Sequence, residues 1–151
     1  IMGQNLGAKL FDRVQRTLTD CLIVVAIYVV IIWLVLWAAG PAIVWLFGAQ
    51  GEAARIVLFF CAVGALTWLF LGGLFVANAA FNNLGFPLLS TAFNWGRATL
   101  GTIPFVTLGA QIGGPEGGLV GMIAGAALFG AGAMTTAYFV TRRLAKTKAA
   151  P

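Results

Sequence analysis

Histidine is absent from this chain, and serine occurs once, at Ser90. A Ser-His catalytic pair and a histidine metal site are therefore excluded within it. Charge is scarce as well: 9% of residues are charged, where soluble domains carry about 25%. The acidic residues are Asp12, Asp20, Glu52 and Glu116. None lies deep in an apolar run, so the segment shows no carboxylate of the kind that couples transport to H+ or Na+. The same shortage argues against an intramembrane enzyme, since no nucleophile has a base beside it. Two cysteines, Cys21 and Cys61, lie in or beside apolar runs and read as small packing residues.

What remains is apolar. The chain is 61% hydrophobic with a mean hydropathy of +0.99 over 151 residues. A water-soluble fold of that length could not cover so much apolar surface. The expected class is an all-α membrane protein. Four stretches reach the roughly 20 apolar residues that a crossing needs: 21–47, 53–82, 87–112 and 117–141. The charge-free run Ile56–Gly96 has 41 residues. As one helix it would measure about 60 Å, twice the hydrocarbon thickness, so it must turn. NNLGFP at Asn82–Pro87 suits that turn, with Asn and Gly ending one helix and Pro opening the next. FGAQGE at Phe47–Glu52 and GGPEGG at Gly113–Gly118 supply the other two.

The net charge is +5, and most of the basic residues sit at the two ends. This is a membrane-orientation pattern and not a nucleic-acid stripe, so no nucleic-acid partner is expected. Four crossings put Lys9, Arg13, Arg16, Arg142, Arg143, Lys146 and Lys148 on one side, which is expected to be cytoplasmic. The same topology keeps Cys21 and Cys61 too far apart for a disulfide. Residues 1–20 read as the cytoplasmic end of a truncated helix followed by a basic linker. Residues 142–151 read as a basic cytoplasmic tail. No secretory signal peptide is apparent, and an initial Ile fits a fragment of a longer polypeptide.

Polar residues at depth are the candidates for function. Thr67 falls mid-span. Asn78 has Asn82 one turn on, on the same face, and such a pair either bonds a neighbouring helix or lines a wet cavity. Arg97 lies about 15 Å past Pro87 along its helix and is either an anchor, a structural pair or a cavity residue. Pro104 clashes with the Leu100 carbonyl, so a kink is expected, either static or a hinge. Thr99, Thr102 and Thr107 are placed to satisfy freed backbone groups. Gly117, Gly121 and Gly125 recur every four residues and form a helix-packing ridge that implies a partner helix. Trp33 and Trp37 share a face, for packing or for lining an apolar cavity.

Taken in order, these features resemble the multidrug and toxic compound extrusion (MATE) family. GQNLGA at Gly3–Ala8 with the following charges is similar to the cytoplasmic end of the second helix of a lobe. ANAAFNNLGFPLL, NWGRATLGTIPF with Arg97 and Pro104, and GPEGGLVGMIAG before the basic RRLAKTK follow in the family's order. The resemblance implies twelve helices in two lobes, substrate bound between them, and alternating access that exports drug-like or cationic small molecules by antiport with H+ or Na+. This chain would then be the last four helices, in the bacterial inner membrane. Its partners would be the missing N-terminal portion, the lipid bilayer and the small-molecule substrate. No cofactor or metal site is implied in the segment. The family's helix-one carboxylate falls outside it, and Gly72 and Gly73 stand where some members carry another, so a sodium site here is doubtful. The rival reading is a small non-catalytic four-helix membrane scaffold or assembly protein, in which Met2 would be a true start.

Overall fold

The computed structural model describes residues 1–148, with side chains through Lys146. Those residues form helices α1 (Met2–Gly7), α2 (Phe11–Leu46), α3 (Gly51–Ala62), α4 (Thr67–Leu84), α5 (Pro87–Gly96) and α6 (Ile103–Lys148). A 3-10 turn, Gly64–Leu66, joins α3 to α4, and a π-helical turn, Arg97–Gly101, joins α5 toward α6. Three stretches are long and apolar enough to cross a membrane: Phe11–Leu46, Gly51–Leu84 and Pro87–Lys146.

The third stretch folds back on itself. At Gly113 and Gly114 the backbone leaves helical geometry, with Gly114 at φ 60° and ψ −148°. That region is essentially closed to residues with a Cβ. Pro115 follows, as suits the first turn of a new helical limb. The two limbs of α6 then run antiparallel. A Cβ on Gly117 would meet the Gly109 carbonyl, one on Gly121 the Phe105 carbonyl, and one on Gly125 the Gly101 carbonyl. Each of these pairs is symmetric about position 113. The glycine ridge therefore has its partner inside this chain, in the segment just before it.

Residues 11–20, expected as a linker, are instead the first turns of α2. The reason is visible at i, i+4: Val14 and Leu18 are buried and belong to the main apolar cluster. That cluster joins them to Leu74, Ala77, Ala80, Phe81 and Leu84 of α4 and to Ala133 and Ala137 of α6. Met2 and Leu6 of α1 pack against it. Phe81 also stacks on Phe93 of α5, with ring centroids 5.8 Å apart. Likewise, 142–148 of the expected basic tail continue the last helix, while 149–151 lie outside the described residues.

Glycines on one helix receive large side chains from the next. Gly72 faces Val25 of α2, Gly73 faces Met134 of α6, and Gly96 and Gly101 together leave the space filled by Phe129. Close approach of this kind is how membrane helices associate when no hydrophobic force acts between them. α2 contributes least to the interior: 6% of its most apolar stretch is buried. Ile23, Val24, Ile27, Tyr28, Ile31 and Val35 are exposed, a face suited to lipid or to further protein.

Candidate functional site

The second apolar stretch is interrupted near its middle. α3 ends at Ala62, Val63 takes φ −123° and ψ −48°, and the 3-10 turn follows. An interruption frees backbone carbonyls that hydrocarbon cannot satisfy. One of them, Ala62, accepts a hydrogen bond of 2.9 Å from the Trp33 ring N–H of α2. Trp33 is therefore a structural donor, where the sequence left packing and cavity lining open. Phe60 and Trp68 flank the interruption in an edge-to-face pair.

Thr67 opens α4 directly after the break. It is 4% exposed, and its Oγ1 has no hydrogen-bond partner among the described residues. Asn78, three helical turns further along the same face, is 7% exposed, and its Oδ1 is also unpartnered. Buried polar atoms almost always find partners, and in a bilayer the cost of leaving them alone is greater. Asn82 is different. It is exposed, so the amide pair expected on one face is divided between interior and surface. The packed face of α4 at this end runs through Phe81 and Leu84, both buried, and Asn82 lies beyond its edge.

Arg97 begins the π-helical turn and is half-buried, with its Nε enclosed and unpartnered. The turn answers a steric problem set by Pro104, which lacks an N–H and crowds the carbonyl one helical turn before it. Widening Arg97–Gly101 into a π geometry relieves the clash. The Thr102 hydroxyl then donates to the Arg97 carbonyl at 2.9 Å. Thr99 and Thr107 bond the carbonyls of Trp95 and Ile103, each 2.7 Å away. Pro104 itself is exposed.

Sequence reasoning missed a groove of about 300 Å³ between α2, α4 and α6, lined by Leu22, Val25, Leu69, Gly73 and Met134 among others. Its polar edge is the hydroxyl pair of Thr19 and Tyr138, 2.9 Å apart. The available signal was Tyr138, a phenol in an otherwise apolar helix, whose hydroxyl requires a partner. At the opposite end of the spans, Arg55 of α3 meets Glu116 at 3.0 Å and Glu52 at 3.8 Å. This ties the start of α3 to the Gly113–Gly114 turn. Among the described residues no group of three or more His, Cys, Asp or Glu is arranged to hold a metal. Cys21 and Cys61 are both free.

An all-helical chain of apolar spans, interrupted mid-span and interlocked through glycine, has the build of a secondary-transporter lobe. The comparisons agree. The family model MatE matches residues 1–108, and the chain belongs to the MATE family, which is a family of transporters and not of enzymes. Among solved structures it is similar to the Vibrio cholerae MATE transporter VcmN in its bent form, with a TM-score of 0.86 at 21% identity. That match covers 95% of this chain and 33% of the transporter, so the chain spans a third of the length of the protein it resembles. No curated protein matches.

Proposed function

We propose that this chain forms four membrane crossings within one lobe of a MATE transporter, the two limbs of α6 accounting for the third and fourth. The transporter exports drug-like or cationic small molecules in exchange for H+ or Na+, exposing a cavity between its lobes to each side in turn. Both ends of the segment lie in the cytoplasm of a bacterium, where the concentration of Lys and Arg holds them. Thr67 and Asn78 lie behind the cavity wall and gain partners as alternating access opens it toward them, and Asn82, exposed on the same helix, lines it; Arg97 and Pro104 serve the movement of the third crossing.

The observation that carries this reading is the pair of enclosed, unpartnered polar atoms on α4, Thr67 Oγ1 and Asn78 Oδ1. Their span is broken beside Thr67, as substrate-binding helices of transporters commonly are. Family membership supplies the activity class. The coupling carboxylate belongs elsewhere in the polypeptide. Support for that comes from Gly72 and Gly73, whose side-chain positions are already filled by Val25 and Met134. A carboxylate there would need both neighbours to move. Proton coupling is accordingly preferred over a sodium site in this segment.

The test is antiport in vesicles carrying the full-length protein. Thr67→Val and Asn78→Ala should each lower uptake of a cationic dye at least several-fold or change its selectivity, with the unfolding midpoint held. Unchanged transport and an unchanged substrate profile in both variants would remove the two residues from this role.

A further inference from the structure

Lys9 has a backbone conformation meant for glycine. It stands between α1 and α2 at φ 58°, the one non-glycine residue with positive φ among those described. The turn closes as a helix C-terminal cap: the Leu10 N–H donates to the Asn5 carbonyl at 2.8 Å and the Lys9 N–H to the Leu6 carbonyl at 3.0 Å. Glycine is the residue usually found at such a position, because a Cβ there is strained. A lysine at a strained position is an observed outlier from which a role for its charge can be argued.

Beside it lies a recess of about 420 Å³ lined by Lys9, Leu10, Phe11, Asp12, Arg13 and Ala145. Arg16 is one turn beyond Arg13, and Arg142 one turn before Ala145. All four cationic side chains are exposed. The recess sits where the apolar spans end. Val14, next to Arg13, shares the buried cluster with Leu84, the last residue of α4. Exposed Phe86 and Leu88 continue the apolar surface at that end.

We propose that this recess binds the headgroup of an anionic phospholipid, specifically phosphatidylglycerol. Lys9 and Arg13 hold the phosphate. Leu10, Phe11 and Ala145 lie against the glycerol backbone and the upper acyl region. Asp12 does not oppose this binding. It occupies the first turn of α2, where the positive end of the helix dipole offsets its charge. Its carboxylate accepts from the hydroxyls of the headgroup glycerol, which a choline headgroup does not offer. Basic recesses at the cytoplasmic ends of membrane helices are suited to anionic lipid.

The experiment uses the full-length protein purified in neutral detergent, with thermal unfolding followed as phosphatidylglycerol, phosphatidylcholine or inorganic phosphate is added. Phosphatidylglycerol should raise the midpoint; the other two should not. Lys9→Gln and Arg13→Gln should each weaken the lipid response about fivefold in apparent affinity, the effect of one cation near an anionic surface, and added salt should diminish it. Lys9→Gly is the sharper variant. Relief of the backbone should keep or raise the midpoint in neutral detergent, while the phosphatidylglycerol response falls. An undiminished response in Lys9→Gly and Arg13→Gln, or an equal response to phosphatidylcholine, overturns the proposal. An equal response to inorganic phosphate also overturns it, as a free-anion site.

Discussion

Two glycines seven residues apart on the last limb of α6 should respond oppositely to the same methyl group. At Gly125 an added Cβ would run into the backbone carbonyl of Gly101, which cannot swing aside as a side-chain tip would. At Gly118 the nearest atom to an added Cβ is the Ala110 Cβ at 3.6 Å, an ordinary contact. Both substitutions to Ala gain helix propensity, about 1 kcal/mol relative to Gly. That gain cancels when the two variants are compared, leaving the overpacking term. Forcing a methyl into a filled interface costs about 1–3 kcal/mol. Gly125→Ala should therefore be less stable than Gly118→Ala by about 1–3 kcal/mol, with Gly118→Ala at or above the parent. The measurement is the unfolding midpoint of the full-length protein in one detergent, with each variant also assayed for dye transport. Equal stability of the two variants would refute the reasoning. It would mean that the limbs do not approach backbone to backbone at Gly125.

Pro104→Ala restores an N–H and removes the ring that crowds Leu100, so the π-helical turn should relax toward regular α-helix. Phe129 would keep its place between Gly96 and Gly101 while the turn stiffens; the expected outcome is reduced transport with stability kept or raised, read by vesicle uptake and the unfolding midpoint together. The Arg55–Glu116 pair has side chains 63% and 30% exposed, so a double-mutant cycle with Gln at both positions should return a coupling of at most about 1 kcal/mol, reduced further by salt. Trp33→Phe keeps most of the packing but loses the donor to the Ala62 carbonyl. It should cost about 0.5–1.5 kcal/mol for the bond, and more if the freed carbonyl is left dry.

The turns were readable because they need special backbone. Gly85, at φ 88°, and Gly114, at φ 60°, fall where a Cβ is penalised, so NNLGFP and GGPEGG announced themselves. The family was readable for a related reason: the residues that carried the resemblance are glycines, asparagines, an arginine and a proline, few of which belong in plain apolar helix. The kink at Pro104 was expected from its ring, but not its form, because whether a helix bends or widens depends on what packs beside it, here Phe129. The interruption at Val63–Leu66 was not legible. Gly64 is a lone glycine in an apolar run, and the group that stabilises the break, Trp33, comes from another helix. The different burial of Asn78 and Asn82 was not legible either, since a face read from periodicity takes no account of where the packed arc of the helix ends. The glycine ridge was legible and so was its need for a partner helix; which helix was not, and it lies on the other side of a two-residue turn, at Gly101, Phe105 and Gly109.

The symmetry of that hairpin has a consequence for how the chain is made. Its backbone contacts pair positions 109 with 117, 105 with 121, and 101 with 125. The loops to be closed are therefore short and nested, each completed contact bringing the next pair together. Short-range closure is fast and entropically cheap. The limbs can zip from the turn outward as soon as both have left the ribosome, before any contact with α2 or α4 is needed. On the proposed topology the last two crossings should enter the bilayer as a pair and dock against Phe70 and Gly73 of α4 afterwards. A substitution at Gly109 or Gly117 should accordingly delay biogenesis before it weakens the mature protein, and show first as a lower membrane yield at unchanged specific transport.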